Sequence, residues 1–195
     1  MALTQQQYTL ADLLVMTADD QLYEILEGEL VVFTAPDDPH MVAVVELVIL
    51  FGEAQRAGFG RAGLAPRAVA LDFAQRGMQA QDVPQPDVFF VRRERLDILA
   101  TRAVQEPPDL VVEVLSPTTR HRDLPGGQKW KMYERACVPH YWLVDTDAHT
   151  VAQYVLVAGR YGEPVTLHPG DILTSPLFPG ITRDVASLFA PEMGT

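Results

Sequence analysis

The chain has 195 residues, 48% of them apolar, enough to bury a substantial core, and its one cysteine, Cys137, has no partner for an internal disulfide. A formal net charge of -11 argues against a protein that coats nucleic acid through a general basic field, because phosphates would be repelled. It leaves room for a nuclease, since clustered carboxylates are offset by divalent cations and basic groups gather locally at Arg92-Arg93-Glu94-Arg95 and Arg120-His121-Arg122.

The opening Met1 to Tyr8 has neither a basic nor an apolar leader segment, and the longest apolar run, Met41 to Phe51, is interrupted by Glu46 and too short to span a bilayer. A cytoplasmic protein with no membrane association is therefore expected. No repeat, low-complexity tract or linker divides the chain, so residues 1–195 read as a single domain.

Tyr8 to Met16 carries Leu10, Leu13 and Leu14 at helical spacing and predicts a short opening helix. Tyr23 to Phe33 reads as two strands meeting at Gly28, closed off by Pro36-Asp-Asp-Pro39. His40 to Ala57 predicts a long helix, with Val42, Val45 and Ile49 as its apolar side and Gly58 as its stop. Gly58-Phe-Gly-Arg-Ala-Gly63 has the letters of a dinucleotide-binding turn, but it follows a helix and runs into Pro66, so it reads as a plain loop.

Arg67 to Phe73 and Asp87 to Arg92 read as strands, and Asp109 to Leu115, apolar on both faces, as a central buried one. His121-Arg-Asp-Leu124 imitates a kinase catalytic loop, but the asparagine needed downstream is Gln128 and no DFG triplet follows, so Arg120 to Asp123 reads as a polar loop beside the site. Gly126 to Cys137 predicts a helix with Cys137 as a buried thiol, and Tyr141 to Asp145 and Val151 to Val157 predict strands. Strand-sized pieces bounded by Gly162, Pro169-Gly170 and Pro179-Gly180 follow, then a short helix near Val185 to Phe189. Strands interleaved with helices make this an α/β chain with a mixed central sheet flanked by helices.

Glu113 carries the chemistry, because an ionised carboxylate inside Leu110-Val-Val-Glu-Val-Leu115 costs several kcal/mol unless an internal arginine or a metal compensates it. Asp87 alone is equally a turn residue at a strand start, but beside Glu113 on an adjacent strand it forms a pair able to hold a hard divalent ion. Asp109 lies on the same face as Glu113 but about 13 Å away, too far to share that ion. The chain has only two lysines, Lys129 and Lys131, from which a catalytic ammonium must come. Trp130, Tyr133, Ala136 and Cys137 define the inward side of their helix, which Lys129 borders and Lys131 opposes, so Lys129 is chosen.

Tyr23-Glu-Ile-Leu-Glu-Gly-Glu-Leu30, His40, Gln85-Pro-Asp-Val88, Pro108-Asp-Leu-Val-Val-Glu-Val-Leu-Ser-Pro-Thr-Thr119, Lys129 to Tyr133 and Cys137-Val-Pro-His-Tyr-Trp-Leu-Val-Asp145 together resemble the Uma-type putative restriction endonuclease family over nearly the whole chain. The resemblance implies a restriction-endonuclease-like PD-(D/E)XK core and a metal-dependent DNA endonuclease using magnesium or manganese. It also implies Asp87, Glu113 and the backbone carbonyl of Val114 as metal ligands, Glu24 and His40 as further site residues, and a homodimer. Two departures stand out: the superfamily's lysine two residues after the glutamate is Leu115, and the usual Gly and Glu of the last segment are Cys137 and His140. Two other readings stay open, a non-catalytic binding or regulatory protein on the same fold, and a hydrolase of a smaller phosphate ester.

Overall fold

A computed structural model describes residues 6–16, 22–33 and 37–189. In chain order it contains α1 (Leu10–Leu13), the strands β1 (Leu22–Leu26) and β2 (Glu29–Phe33), α2 (Asp38–Arg56), β3 (Gly60–Leu64), α3 (Phe73–Arg76), β4 (Val88–Arg92) and β5 (Leu110–Val114). Then come α4 (Arg120–Asp123), α5 (Gln128–Arg135), β6 (His140–Asp145), β7 (Thr150–Val157), β8 (Arg160–Tyr161), β9 (Val165–Leu167), β10 (Ile172–Leu173) and β11 (Arg183–Asp184). A short 3-10 helix, Val185–Leu188, follows. The opening helix is only four residues long, and the part of the predicted hairpin closure at Pro36 lies outside the described residues.

The main sheet runs β3-β4-β5-β6-β7-β8, with β9 also on β7. Only β5 and β6 are parallel; the remaining pairs are antiparallel. This is the mixed sheet expected. The connection that makes β5 and β6 parallel contains α4 and α5, as a parallel pair requires a crossover. Alternation along the strands sorts side chains into two cores. Val88, Phe90, Leu110, Val112, Trp142 and Val144 pack against α2, while Phe89, Val91, Val111, Tyr141 and Leu143 pack against α5. Glu113 follows Val111 at even spacing and so emerges on the α5 side. No helix among the described residues is long and apolar enough to cross a membrane.

Five sequence expectations need correction. Arg120 to Asp123 is not a loop but the short helix α4. The glycine-rich segment is not a loop: its second half is the edge strand β3, where Gly63 is paired with Phe89 and a Cβ would run into the Phe89 ring. These glycines admit neighbouring aromatic rings instead of phosphates. Residues 67–73 form no strand: 67–72 are an irregular stretch tied by single bridges such as Val69 to Val104, and Phe73 already opens α3. On α2, Val45 and Ile49 are exposed, and the buried residues are His40 and the apolar Ala43, Leu47, Leu50, Phe51 and Ala54. The helix is apolar on both sides, so periodicity alone did not say which side faces in. Cys137 is exposed rather than buried and adopts φ +59°. Positive φ is a conformation glycine takes at no cost, which explains why a glycine is usual there.

Candidate functional site

Several elements converge at the C-terminal end of β5. Strand β5 presents Glu113, the segment before β4 presents Asp87, and the first turn of α2 presents His40. Hairpin strand β1 adds Glu24, the end of α4 adds Asp123, and α5 adds Lys129. All of them, with Val114, line one open cleft of about 250 Å³. Every residue expected at the site from the sequence is thus on this cleft, and Lys131 is exposed on the other side of α5.

Packing brings Lys129 here. Trp130, next to it, lies edge-on to Tyr141, Tyr154 and Tyr161 with ring centroids 5.8, 4.6 and 4.9 Å away, a cluster that clamps α5 to the sheet. Gly127 caps the helix so close to the preceding segment that a Cβ would strike the carbonyls of His121 and Arg122. That approach sets α5 beside α4, and with it Lys129 beside Asp123.

Lys129 is 4% exposed, and its ammonium stands 2.8 Å from Glu113 Oε1, 3.0 Å from Glu24 Oε1 and 3.8 Å from Asp123 Oδ1. Glu113 Oε1 also accepts the Tyr133 hydroxyl at 2.6 Å, and Glu24 Oε1 accepts the Gln85 N–H at 2.6 Å. Glu113 is therefore compensated by a lysine, not by an internal arginine. Asp87 Oδ2 accepts the Val114 N–H at 2.7 Å and lies 3.3 Å from His40 Nε2. The His40 N–H in turn caps α2 on Asp37.

Burial weakens the lysine's hold on its proton, but the charges of Glu113, Glu24 and Asp123 outweigh that and hold Lys129 well above its ordinary range. Burial pushes Glu113 well up, opposed by Lys129 and reinforced by Asp123, Asp87 and Glu24. Burial likewise raises Asp123, to about 7, with Lys129 opposing and Glu24 and Asp87 adding to it. For His40 burial works against the cation, yet its bond to Asp87 and the charges of Asp87 and Asp37 leave it raised. Lys129 meets three acids and His40 faces the fourth, Asp87, so the acids outnumber the cations and the cluster favours uptake of positive charge.

Carboxylate oxygens are the donors a hard divalent ion prefers, and Glu24 Oε2 and Asp123 Oδ1 are buried without a hydrogen-bond partner among the described residues. In charge and donor type the residues fit such an ion. Among the described residues no three His, Cys, Asp or Glu side chains form a group that could hold a metal ion by themselves.

Asp123 is the residue the sequence did not single out. Its signal was faint, a polar loop placed beside the site without a chosen side chain. The superfamily's lysine position, Leu115, is 5% exposed within the α5-side core, where an ammonium would be costly. The cation arrives from α5 instead.

A mixed sheet ending in such a cleft defines the class. The protein has the fold of a putative nuclease belonging to DUF820 from Anabaena variabilis, with TM-score 0.68 and 19% identity over 93% of this chain and 97% of that one. The chain belongs to the Uma2 family, described as a putative restriction endonuclease, whose pattern matches residues 7–186. A comparison with curated proteins returns no match.

Proposed function

We propose that the protein is a metal-dependent endonuclease hydrolysing DNA phosphodiester bonds, with the cleft around Glu113 as its active site. The observation that carries this reading is the cluster itself, three acids around one buried lysine with Asp87 held by His40 in the same open cleft. Such a charge excess destabilises the empty protein and suits a site that takes up a cation. Family membership supplies the nucleic-acid substrate class. Asp87, Glu113 and the Val114 carbonyl would hold a magnesium or manganese ion. When bound, that ion polarises the phosphate and makes water a better nucleophile at neutral pH.

The protein's own groups divide the remaining work. Lys129 keeps its proton, so it serves as a fixed positive charge beside the phosphate and as a donor to the attacking water, not as a base. Glu24, fastened to the Gln85 N–H, aims that ammonium. His40 donates to Asp87 Oδ2, which also accepts from Val114, and so fixes the carboxylate's orientation. Tyr133, kept neutral chiefly by burial and then by the charge of Glu113, donates to Glu113 and holds it against α5.

The reading of the same fold as a non-catalytic binder drew on the acidic charge and on the missing lysine at Leu115; Lys129, at 2.8 Å from Glu113, answers the second ground, and the cleavage assay addresses the first. A manganese-supplemented cleavage assay on duplex, single-stranded and branched DNA tests the proposal, alongside calorimetry of magnesium and manganese uptake. Metal uptake with cleavage is the expected result. Uptake without cleavage of any DNA, but with hydrolysis of a small phosphate ester, would move the substrate to that class, and no uptake at all would refute the reading.

A further inference from the structure

Helix α2 raises a problem that the cleft does not solve. Its inward side is buried, yet its solvent side carries Val45 at 51% and Ile49 at 40% exposure, where a surface helix normally turns charged residues to water. The outward residues Asp38, Val42, Val45, Ile49, Gly52 and Arg56 recur at alternating intervals of four and three, the spacing of a helix that packs against another helix. They are also self-complementary end to end. When a second α2 is laid antiparallel about an axis level with Leu47, Asp38 faces Arg56, Val42 faces Gly52, and Val45 faces Ile49. Each large side chain then meets a smaller or matching one, and the helix ends pair opposite charges. Neither Asp38 nor Arg56 makes an ion pair among the described residues. Glu46 and Glu53, to one side of the stripe, are already engaged by Arg183 of the same chain.

We propose that this face binds a second copy of the chain, α2 against α2 in that antiparallel register. A two-fold pairing repeats every contact twice, which is how a modest complementary stripe becomes a specific interface. The first turn of α2 carries His40 into the cleft, so the two His40 residues stand about 21 Å apart along the paired axis at about 1.5 Å per residue. The dimer itself does not depend on the nuclease reading, because it uses none of the cleft's acids.

Sedimentation equilibrium of the full chain over a wide dilution series, without metal or DNA, tests it. The wild type should dimerise with a melting temperature that rises with concentration, and Ile49→Glu should be a folded monomer whose melting temperature is lower and independent of concentration. Asp38→Arg and Arg56→Asp should each weaken the dimer by about tenfold, and the double variant should recover most of that strength, because only a pairing between copies restores opposite charges. A monomer at every concentration overturns the proposal. So does a dimer indifferent to Ile49→Glu, or a double variant no tighter than the singles. A protein that dimerises this way but cuts nothing fails the nuclease reading and leaves this one standing.

Discussion

Strand β5 carries a buried carboxylate at each end, and the two ends are finished differently. Asp109, 1% exposed, takes the Arg92 N–H at 2.9 Å, the Arg92 guanidinium at 3.0 Å and Arg95 at 3.2 Å. Two cations, one of them shared with Glu106 at 3.3 Å, and a backbone donor serve Asp109, and the end is closed. Glu113, four residues on, shares a single lysine with Glu24 and Asp123, and its end opens into a cleft. The same chemical group is a structural tie where its charge is over-satisfied and a candidate reactive group where it is under-satisfied. Burial of a carboxylate therefore says little by itself, and the local charge balance distinguishes the two roles.

The largest effects should come from the open end. Asp87→Asn and Glu113→Gln keep shape but remove the charge that would hold an ion, so each should lower metal-dependent cleavage by about a hundredfold or more. Calorimetry should show magnesium uptake lost in Glu113→Gln. The melting temperature without metal should stay level or rise, because one fewer acid crowds the lysine. Full activity in either variant at limiting metal would dissolve the contrast between the two ends.

Lys129→Ala comes next. It should cut cleavage strongly and also destabilise the fold, since Glu113 and Glu24 lose their counter-charge in a buried place. Lys129→Arg separates charge from shape. The guanidinium keeps the charge but does not fit where a compact ammonium meets three carboxylates, so activity should stay well below wild type. Lys131→Ala, on the exposed face, should change neither quantity. Equal losses at Lys129 and Lys131 would mean that the geometry around Glu113 is not what matters.

Asp109→Asn should show the reverse profile. Losing the ionised partner of Arg92 and Arg95 should cost about 2 kcal/mol of stability, in the range for hydrogen bonds to charged groups, with metal uptake and cleavage rate per folded molecule unchanged. Thermal melts and calorimetry on the same sample would show it. An Asp109 variant that loses metal binding at native stability would make the closed end part of the site.

Much of this contrast was legible in the sequence, and the reasons are physical. A glutamate inside an apolar strand announces a compensating group whatever the fold, and helical phase is enough to separate Lys129 from Lys131. Distance along the strand also kept Asp109 apart from Glu113. Phase failed on α2, where both sides are apolar and only the tertiary structure decides which is covered. Residues 67–73 misled because apolar composition suits a buried irregular segment as well as a strand. Asp123 stayed hidden because its burial, 2% exposed, is a tertiary contact that leaves no mark in sequence periodicity. Glu24 and His40 came from family resemblance alone. As isolated residues they look like an ordinary strand glutamate and an ordinary helix-start histidine.

The smallest and most diagnostic effect is on pH dependence. Burial, the larger influence, together with Glu24 and Asp87 lifts Asp123 from 3.8 to about 7 against the pull of Lys129. A folded state that holds this proton more tightly than the unfolded chain is stabilised below the unfolded value and loses that stability as pH rises through the folded one. In chelator, the protein should therefore become less stable between pH 3.8 and about 7. Glu113 and His40, both raised, act in the same direction. Lys129, also raised, loses its contribution only at alkaline pH, outside this window. Asp123→Asn should flatten the slope, and saturating magnesium should flatten it in the wild type, because a bound cation supplies the charge the proton was providing. Melting temperatures across this range, with and without chelator, decide the matter. Stability that climbs with pH in chelator, or a slope that Asp123→Asn leaves untouched, would mean that the acids at this end of β5 are balanced as fully as Asp109 is at the other.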